Sequence, residues 1–278
     1  TIQNKLMALN ENELARVLIT GALQENGTDV FLFSPVPNLI FTRDVGITVN
    51  DHLLLTKFSE EARKREALLI KYIFYYEIFG EEYDPNNNSF SDRIIEISED
   101  ESSFRSDEPK YVTFEGGDVM MISPRHLFIG SSERTSLKAI EKVTETLFQK
   151  NLVDKVSVIG IPPKRSYMHI DTVFTQVKKD MWIVFGPFAK RGVKPPRDKT
   201  DVGGLLEGKT ETKAQIKITQ FRRVGDGDSY RVEKDHLPYL DDLFEQVSKE
   251  DFGADNCEIV YSAGGEFPYN EREQWTDS

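Results

Sequence analysis

A pattern that occurs three times most constrains how this chain can fold. RDVGITVNDHLLL (43–55), GDVMMISPRHLFI (117–129) and IDTVFTQVKKDMWIV (170–184) each run from an acid through an apolar strand and a polar turn into a second apolar strand. Short β-rich runs separated by a polar turn read as hairpins. The first two are followed by helix patterns. SEEARKREALLIKYIFYYEIFG (59–80) has a Ser cap, early acids and a closing Gly, and SERTSLKAIEKVTETLF (132–148) has a similar opening, with a Ser cap and an early acid. KVSVIGI (155–161) adds a further strand, so the unit is strand–strand–helix–strand. Its recurrence predicts an α/β fold of modules arranged about an axis or stacked in a row. At 278 residues and 38% hydrophobic content, the chain has enough apolar material for a sizeable core.

The remaining segments are read around those units. Residues 1–29 are predicted as a helical remnant or lid: Leu14, Val17, Leu18 and Ala22 fall at helical spacing, and Asn10 or Asn12 can cap. VFLF (30–33) predicts a short buried strand, and the prolines of SPVPNL hold the next connection extended. Residues 30–278 are assigned to the modules, with surface excursions near 83–109 and 190–235. YDPNNNSFSD (83–92) and ISEDESSFRSDEP (97–109) are polar, acidic and turn-rich, and GVKPPRDKTDVGGLLEGKTETK (192–213) mixes Pro, Gly and charge. LPYLDDLFEQV (237–247) predicts a helix and CEIVYS (257–262) a strand, which return the chain to the core.

Charge and composition narrow the partners. With 35 Lys and Arg against 47 Asp and Glu the net charge is −12, which repels phosphate backbones and attracts a cationic small molecule; nucleic acid is not expected as a partner. No apolar run approaches the ~18–20 residues of a membrane span, and TIQNKLMALNENE lacks the basic-then-apolar order of a signal peptide, so neither a membrane nor an anchor is expected. The single Cys257 leaves no intramolecular disulfide framework and no cysteine-based zinc site, and suits a reducing compartment, with cytoplasm the expectation. No cluster of His and Cys implies a metal, and no organic cofactor is expected.

The residues able to do chemistry cluster around the repeats. Asp44, Asp118 and Asp171 occupy the same place in the three units, at the start of the first hairpin strand, so a cyclic arrangement brings their carboxylates together at one end of the axis. Acids at strand entries also serve simply as turn residues. In FEGGDVM (114–120) and YMHIDTVFT (167–175), His169 and Asp171 are two apart on an expected strand and share a face. A His beside carboxylates is a general acid/base, with Glu115 as its partner; the alternative is a core His satisfied by a backbone carbonyl. Gly116 and Gly117 let another backbone or a ligand approach closely. PNLIFTRD (37–44) sets the amide of Asn38, the guanidinium of Arg43 and the carboxylate of Asp44 on one connection, as ligand-contacting loops do, although a turn Asn and a salt-bridging Arg are also open.

PNLIFTRD, FEGGDVM and MHIDTVFT resemble signature strings of the arginine deiminases, a family of the guanidino-group-modifying superfamily, and EREQWTD (271–277) resembles a fourth. Order and approximate separation match from about Pro35 to the end of the chain. The resemblance implies a pseudo-fivefold α/β-propeller of ββαβ modules, of which the first module and the end of the last are not in this chain. It implies hydrolysis of L-arginine to L-citrulline and ammonia through a covalent Cys amidino intermediate. It implies Asp44 and Asp171 as the carboxylates that grip the guanidinium fork, with Asp118 in reserve, His169 as acid/base and Glu115 as the acid that orients it. Asn38, Arg63 and Arg134 correspond to positions that hold the amino-acid end of the substrate; the alternative for both arginines is an exposed charge at a helix start. The family's nucleophile follows the REQW-like string, beyond this sequence, while Cys257 precedes it and begins an apolar strand as a small buried hydrophobe does. The chain alone is therefore expected to be inactive. Other readings are an amidinotransferase or methylarginine hydrolase of the same superfamily, or a non-catalytic binding or assembly protein on the same fold. L-Arginine is the expected small-molecule partner, and a homo-oligomer stays open.

Overall fold

The computed structural model describes residues 1–87, 89–97, 112–163, 165–189, 216–225, 229–237 and 239–262. The EREQWTD string, the GVKPPRDKTDVGGLLEGKTETK stretch and nearly all of ISEDESSFRSDEP lie outside the described residues.

The chain enters through two helices, α1 (Ile2–Met7) and α2 (Glu11–Thr20). Asn10 caps α2 in a reciprocal box: its side chain accepts the Glu13 N–H at 3.0 Å while Glu13 accepts the Asn10 N–H at 3.3 Å. Gly21, at φ +75°, ends the helix and starts a hairpin of β1 (Ala22–Glu25) and β2 (Thr28–Phe31). VFLF, read as buried, is instead half in this ribbon, and all of β2 is exposed because among the described residues β1 is the only strand that pairs with it.

The three repeated stretches all form antiparallel hairpins, and each hairpin is completed by a helix and a third strand that runs parallel to its second. The first unit follows the short helical turn α3 (Thr42–Val45) and is β3 (Gly46–Val49), β4 (His52–Leu55), α4 (Lys64–Ile73) and β5 (Ile94–Ile95). The second is β6 (Val119–Ser123), β7 (His126–Ser131), α5 (Leu137–Gln149) and β8 (Lys155–Gly160). The third is β9 (Phe174–Lys178), β10 (Met181–Phe185), α6 (Leu240–Glu250) and β13 (Glu258–Ser262). Between β10 and α6 lies a further hairpin of β11 (Lys217–Val224) and β12 (Ser229–Leu237), which pairs with β8 and extends the second sheet to five strands. The surface excursion expected through residue 235 is therefore corrected from Lys217 onward. Ile218 and Gln220 are wholly buried on one face of β11, a period of two that the preceding Pro-, Gly- and charge-rich stretch obscured.

The helix starts also differ from expectation, and the difference concerns the site. Neither Ser59 nor Ser132 caps a helix. α4 is preceded by a 3-10 turn over Glu61–Arg63, and α5 is capped by Ser136, whose hydroxyl accepts the Ala139 N–H. Gly80 does not close α4, which runs on through a π turn at Phe74–Ile78.

The second unit is buried on both faces. Val119, Leu127, Ile129 and Val156 pack with α5 and with Ile47, Val49 and Leu54 of the first unit. Met120, Ile122 and Phe128, on the alternate positions, pack against the third unit around Trp182 and Phe244, whose rings stack at 4.3 Å. Below that aromatic cluster His126 Nδ1 lies 2.6 Å from Asp251 and Nε2 2.8 Å from Ser157 Oγ. The order matches a Ser-His-Asp triad, but Ser157 has no exposed surface, so the network joins β7 and β8 to the end of α6 and can attack nothing.

Candidate functional site

The site lies where the leading turns of the three units meet. Each acid sits in a short helical turn just ahead of its hairpin, and not on the strand as the sequence reading has it. Asp44 is in a turn over Thr42–Val45, Asp118 in one over Gly116–Asp118 and Asp171 in one over Ile170–Thr172. His169 is extended and immediately precedes the last turn, so His169 and Asp171 do not share a strand face. Glycines allow the turns to touch. A Cβ on Gly116 would lie 1.9 Å from the Arg43 carbonyl oxygen, and one on Gly117 would lie 2.3 Å from His169 Nδ1. A Cβ on Gly130, in β7, would lie 2.3 Å from Asp118 Oδ1. Bare backbone at these points is what allows three loops from separate sheets to pack around one imidazole.

His169 and Glu115 form the centre. Both are almost fully buried, and His169 Nε2 lies 2.9 Å from Glu115 Oε2. The other carboxylate oxygen accepts from the Ser59 N–H and hydroxyl, each at 3.2 Å. Burial alone pushes the Glu115 carboxyl up, but the His169 hydrogen bond and charge, Ser59 and nearby Arg134 outweigh it and leave the group below its ordinary range. Burial likewise pushes His169 down, and the bond to Glu115 with the charges of Asp118, Asp171 and Glu115 more than reverses it, so the imidazole is a stronger base than usual. Among the described residues no hydrogen-bond partner faces Nδ1, which lies beside the bare backbone of Gly117.

Two carboxylates flank the pair. Asp171 is pushed above its ordinary range by burial; His169 and Arg43 oppose that shift and the negative Asp44 adds to it. Arg43 Nε lies 3.0 Å from Asp171 Oδ2, and Arg63 Nη1 donates to Asp44 Oδ2 at 2.8 Å. Each carboxylate thus already faces a guanidinium. Arg43 is half exposed and, among the described residues, is held by its side chain at one ion pair, whereas Arg63 is buried.

Asp118 differs from the other two acids. It has no exposed surface, and its oxygens accept from Ser132 and Thr135 (2.6 Å each) and from the Ile170 N–H (3.0 Å). Asp118, expected among the substrate-contacting residues, is thus wholly enclosed, with a protein donor on each of its oxygens. Burial raises its pKa to about 6, against the pull of His169 and those three hydrogen bonds. A carboxyl that binds its proton more tightly folded than unfolded makes stability fall as pH rises between its two pKa values. Asp118→Asn is therefore expected to flatten the stability curve between about pH 4 and pH 6, as urea denaturation at a series of pH values will show. An unchanged slope would contradict the assignment.

Arg63 and Arg134 are both buried, at 8% exposure, so neither is a solvated charge at a helix start. Arg134 Nη1 donates to Ser59 Oγ at 3.1 Å and to Glu60 at 2.5 Å, which links it through Ser59 to Glu115. Asn38 is partly buried near Arg63, and its N–H donates to Glu66 at 2.7 Å. The structure therefore brings His169, Glu115, Asp44, Asp171, Arg63, Arg134 and Asn38 to one region, with Asp118 beneath them. Sequence reasoning missed Ser59, Glu66, Ser132 and Thr135. Ser59 and Ser132 carried a signal that was read as capping; Glu66 and Thr135 carried none.

Cys257 is half buried beside the aromatic cluster, where it accepts from Ser248 Oγ at 3.4 Å. Burial raises its thiol pKa, the Ser248 bond opposes this, and Glu245, Asp180 and Asp241 raise it further, the reverse of an activated thiolate. Among the described residues no group of three His, Cys, Asp or Glu is placed to hold a metal ion, and no helix is long and apolar enough to cross a membrane.

A family model described as arginine deiminase matches residues 2–278. Curated relatives named arginine deiminase include one from Bacillus cytotoxicus, 28% identical over all of this chain and 60% of its own length. A second, from Bacillus cereus strain ATCC 10987, is 31% identical over 89% of this chain and 50% of its own length. The chain thus spans about half the length of the curated relatives it matches. Among solved structures, the N-terminal domain of ArgZ, a cyanobacterial arginine dihydrolase, is similar at 19% identity and a TM-score of 0.40, covering 56% of this chain and 46% of that one. DDAH from Pseudomonas aeruginosa, in complex with citrulline, gives 19% and 0.39 over 57% of this chain and 52% of its own.

Proposed function

The chain belongs to the arginine deiminase family, and from that premise we propose that its site grips the guanidinium of L-arginine and carries the acid–base part of its hydrolysis to L-citrulline and ammonia. The observation that carries this reading is the His169–Glu115 pair, flanked by two carboxylates that each already face an arginine side chain. A planar fork with five donors is matched by facing carboxylates, and the like-charge strain between Asp44 and Asp171 is relieved by a cation between them. Substrate displaces Arg43 from Asp171, while Arg63, Arg134 and Asn38 receive the α-carboxylate end.

In the chemistry that the family resemblance implies, a thiolate adds to the guanidinium carbon, a C–N bond breaks, and the amine takes a proton and leaves as ammonia. Water then adds, the C–S bond breaks, and the urea group of citrulline remains. His169 serves both halves: protonated, it gives Nδ1–H to the leaving amine, and once neutral it takes a proton from water. Glu115 holds Nε2–H, fixes the ring and stabilises its charge. Cys257 does not fit the attack, since burial and acidic neighbours keep its thiol protonated. We further place the three units within a five-module propeller, as their identical topology and meeting acid turns favour, and place the protein in the cytoplasm, which its single cysteine suits.

Incubating the 278-residue protein with L-arginine, beside a Cys257→Ser variant, tests this division of labour. Arginine is expected to bind without citrulline appearing, and any longer protein that carries this segment and turns over is expected to release citrulline and ammonia in equal amounts. Citrulline formation by the 278-residue protein that vanishes in Cys257→Ser would make Cys257 the nucleophile.

A further inference from the structure

Glu66, in the first turn of α4, is a wholly buried carboxylate that no reading above assigns. Its Oε1 accepts the backbone N–H of Asn38 at 2.7 Å. Its Oε2 accepts from Arg63 Nε at 3.0 Å and lies 2.9 Å from Nη2. Arg63 has two further contacts: Nη1 donates to Asp44, and the guanidinium carbon sits 4.1 Å over the Phe58 ring. Burying a carboxylate costs free energy unless both oxygens find donors, and here they find donors on two different segments. One is the guanidinium proposed for the substrate carboxylate. The other is the backbone of the residue that opens the Asn38-to-Asp44 connection.

We propose that Glu66 is the positioning residue that selects ligands bearing an α-carboxylate, by fixing Arg63 and Asn38 in one geometry. The proposal rests on the arginine-site reading and extends it to a residue that touches no substrate. By occupying the Nε edge of Arg63, Glu66 sets the plane of the guanidinium, and a fork held in one plane meets a carboxylate with less lost freedom than a free one. The same carboxylate anchors the loop that ends in Asp44, so the two ends of the site share one support. Its loss acts on the amino-acid end first, because Asp171 and the His169–Glu115 pair are held by other elements.

Calorimetric titration of the 278-residue protein with L-arginine and with agmatine, which has the same guanidinium and no carboxylate, separates the two ends. The wild type is expected to favour L-arginine by at least about tenfold. In Glu66→Gln, which preserves volume but turns an amide toward Arg63, that preference is expected to fall to within about threefold, with L-arginine losing far more affinity than agmatine. Near-UV circular dichroism checks the fold, and Glu66→Asp, which keeps the charge and withdraws it, serves if the Gln variant does not fold. A variant that weakens both ligands equally would make Glu66 merely structural, and one that keeps the wild-type preference would remove its role; either overturns the proposal alone. A wild type that binds neither ligand overturns the arginine-site reading together with it.

Discussion

Asp171→Asn is expected to weaken L-arginine binding by about 10- to 100-fold, measured calorimetrically, with little change in thermal midpoint. The substitution keeps the shape of the side chain but removes one of two charged acceptors and turns an amide toward a cation. Its structural cost is small, because the contact it breaks is with Arg43, a half-exposed side chain held at one point, and exposed pairs contribute little. Its cost in binding is large, because Asp171 is partly buried beside a second carboxylate, where a cation offsets both the desolvation and the repulsion. Unchanged affinity would remove Asp171 from the guanidinium site, and a collapse of the fold would make the Arg43 contact structural.

Trp182→Ala is expected to destabilise the fold by about 3–5 kcal/mol, with the urea midpoint lowered and the slope of the transition kept. Trp182 is fully buried in β10. It stacks on Phe244 of α6 at 4.3 Å and on Phe128 of β7 at 6.0 Å, so it fills the seam between the second and third units. Its Nε1 donates to Ser248 Oγ at 3.1 Å, and the truncation takes this donor away as well as leaving a cavity. Because His169 and Asp171 lead into β9, the strand beside β10, this seam also holds the third acid turn against the second. A loss below about 1 kcal/mol would mean that the units are held together elsewhere.

The sequence pattern disclosed the parts of this fold that repeat. The three acid-led hairpins show because each is a short apolar alternation broken by a polar turn, and α2 shows because Leu14, Val17 and Leu18 fall at helical spacing behind a capping Asn10. The hairpin of β1 and β2 was missed although Asn26 and Gly27, both at positive φ, are a strong two-residue turn signal; VFLF drew the strand too far along the chain. The His169–Glu115 contact was legible in FEGGDVM and MHIDTVFT because each string sets a chemistry-bearing side chain next to glycines or a second acid. Its supports were not legible, since they come from positions whose local meaning is different. Ser59 and Ser132 stand where caps stand, yet their hydroxyls donate to Glu115 and Asp118, and a buried carboxylate is a stronger acceptor than water or a helix end. Glu66 looks like any helix acid until burial and the reach of Asn38 and Arg63 give it its partners.

The most direct test of the account is a calorimetric titration of the unmodified 278-residue protein with L-arginine and, separately, with L-lysine. A site made of facing carboxylates with arginines at its far end should bind L-arginine at one site per chain and L-lysine at least about tenfold more weakly, because an ammonium is a point charge that cannot fill a fork. Absence of arginine binding, or equal affinity for the two, would contradict it.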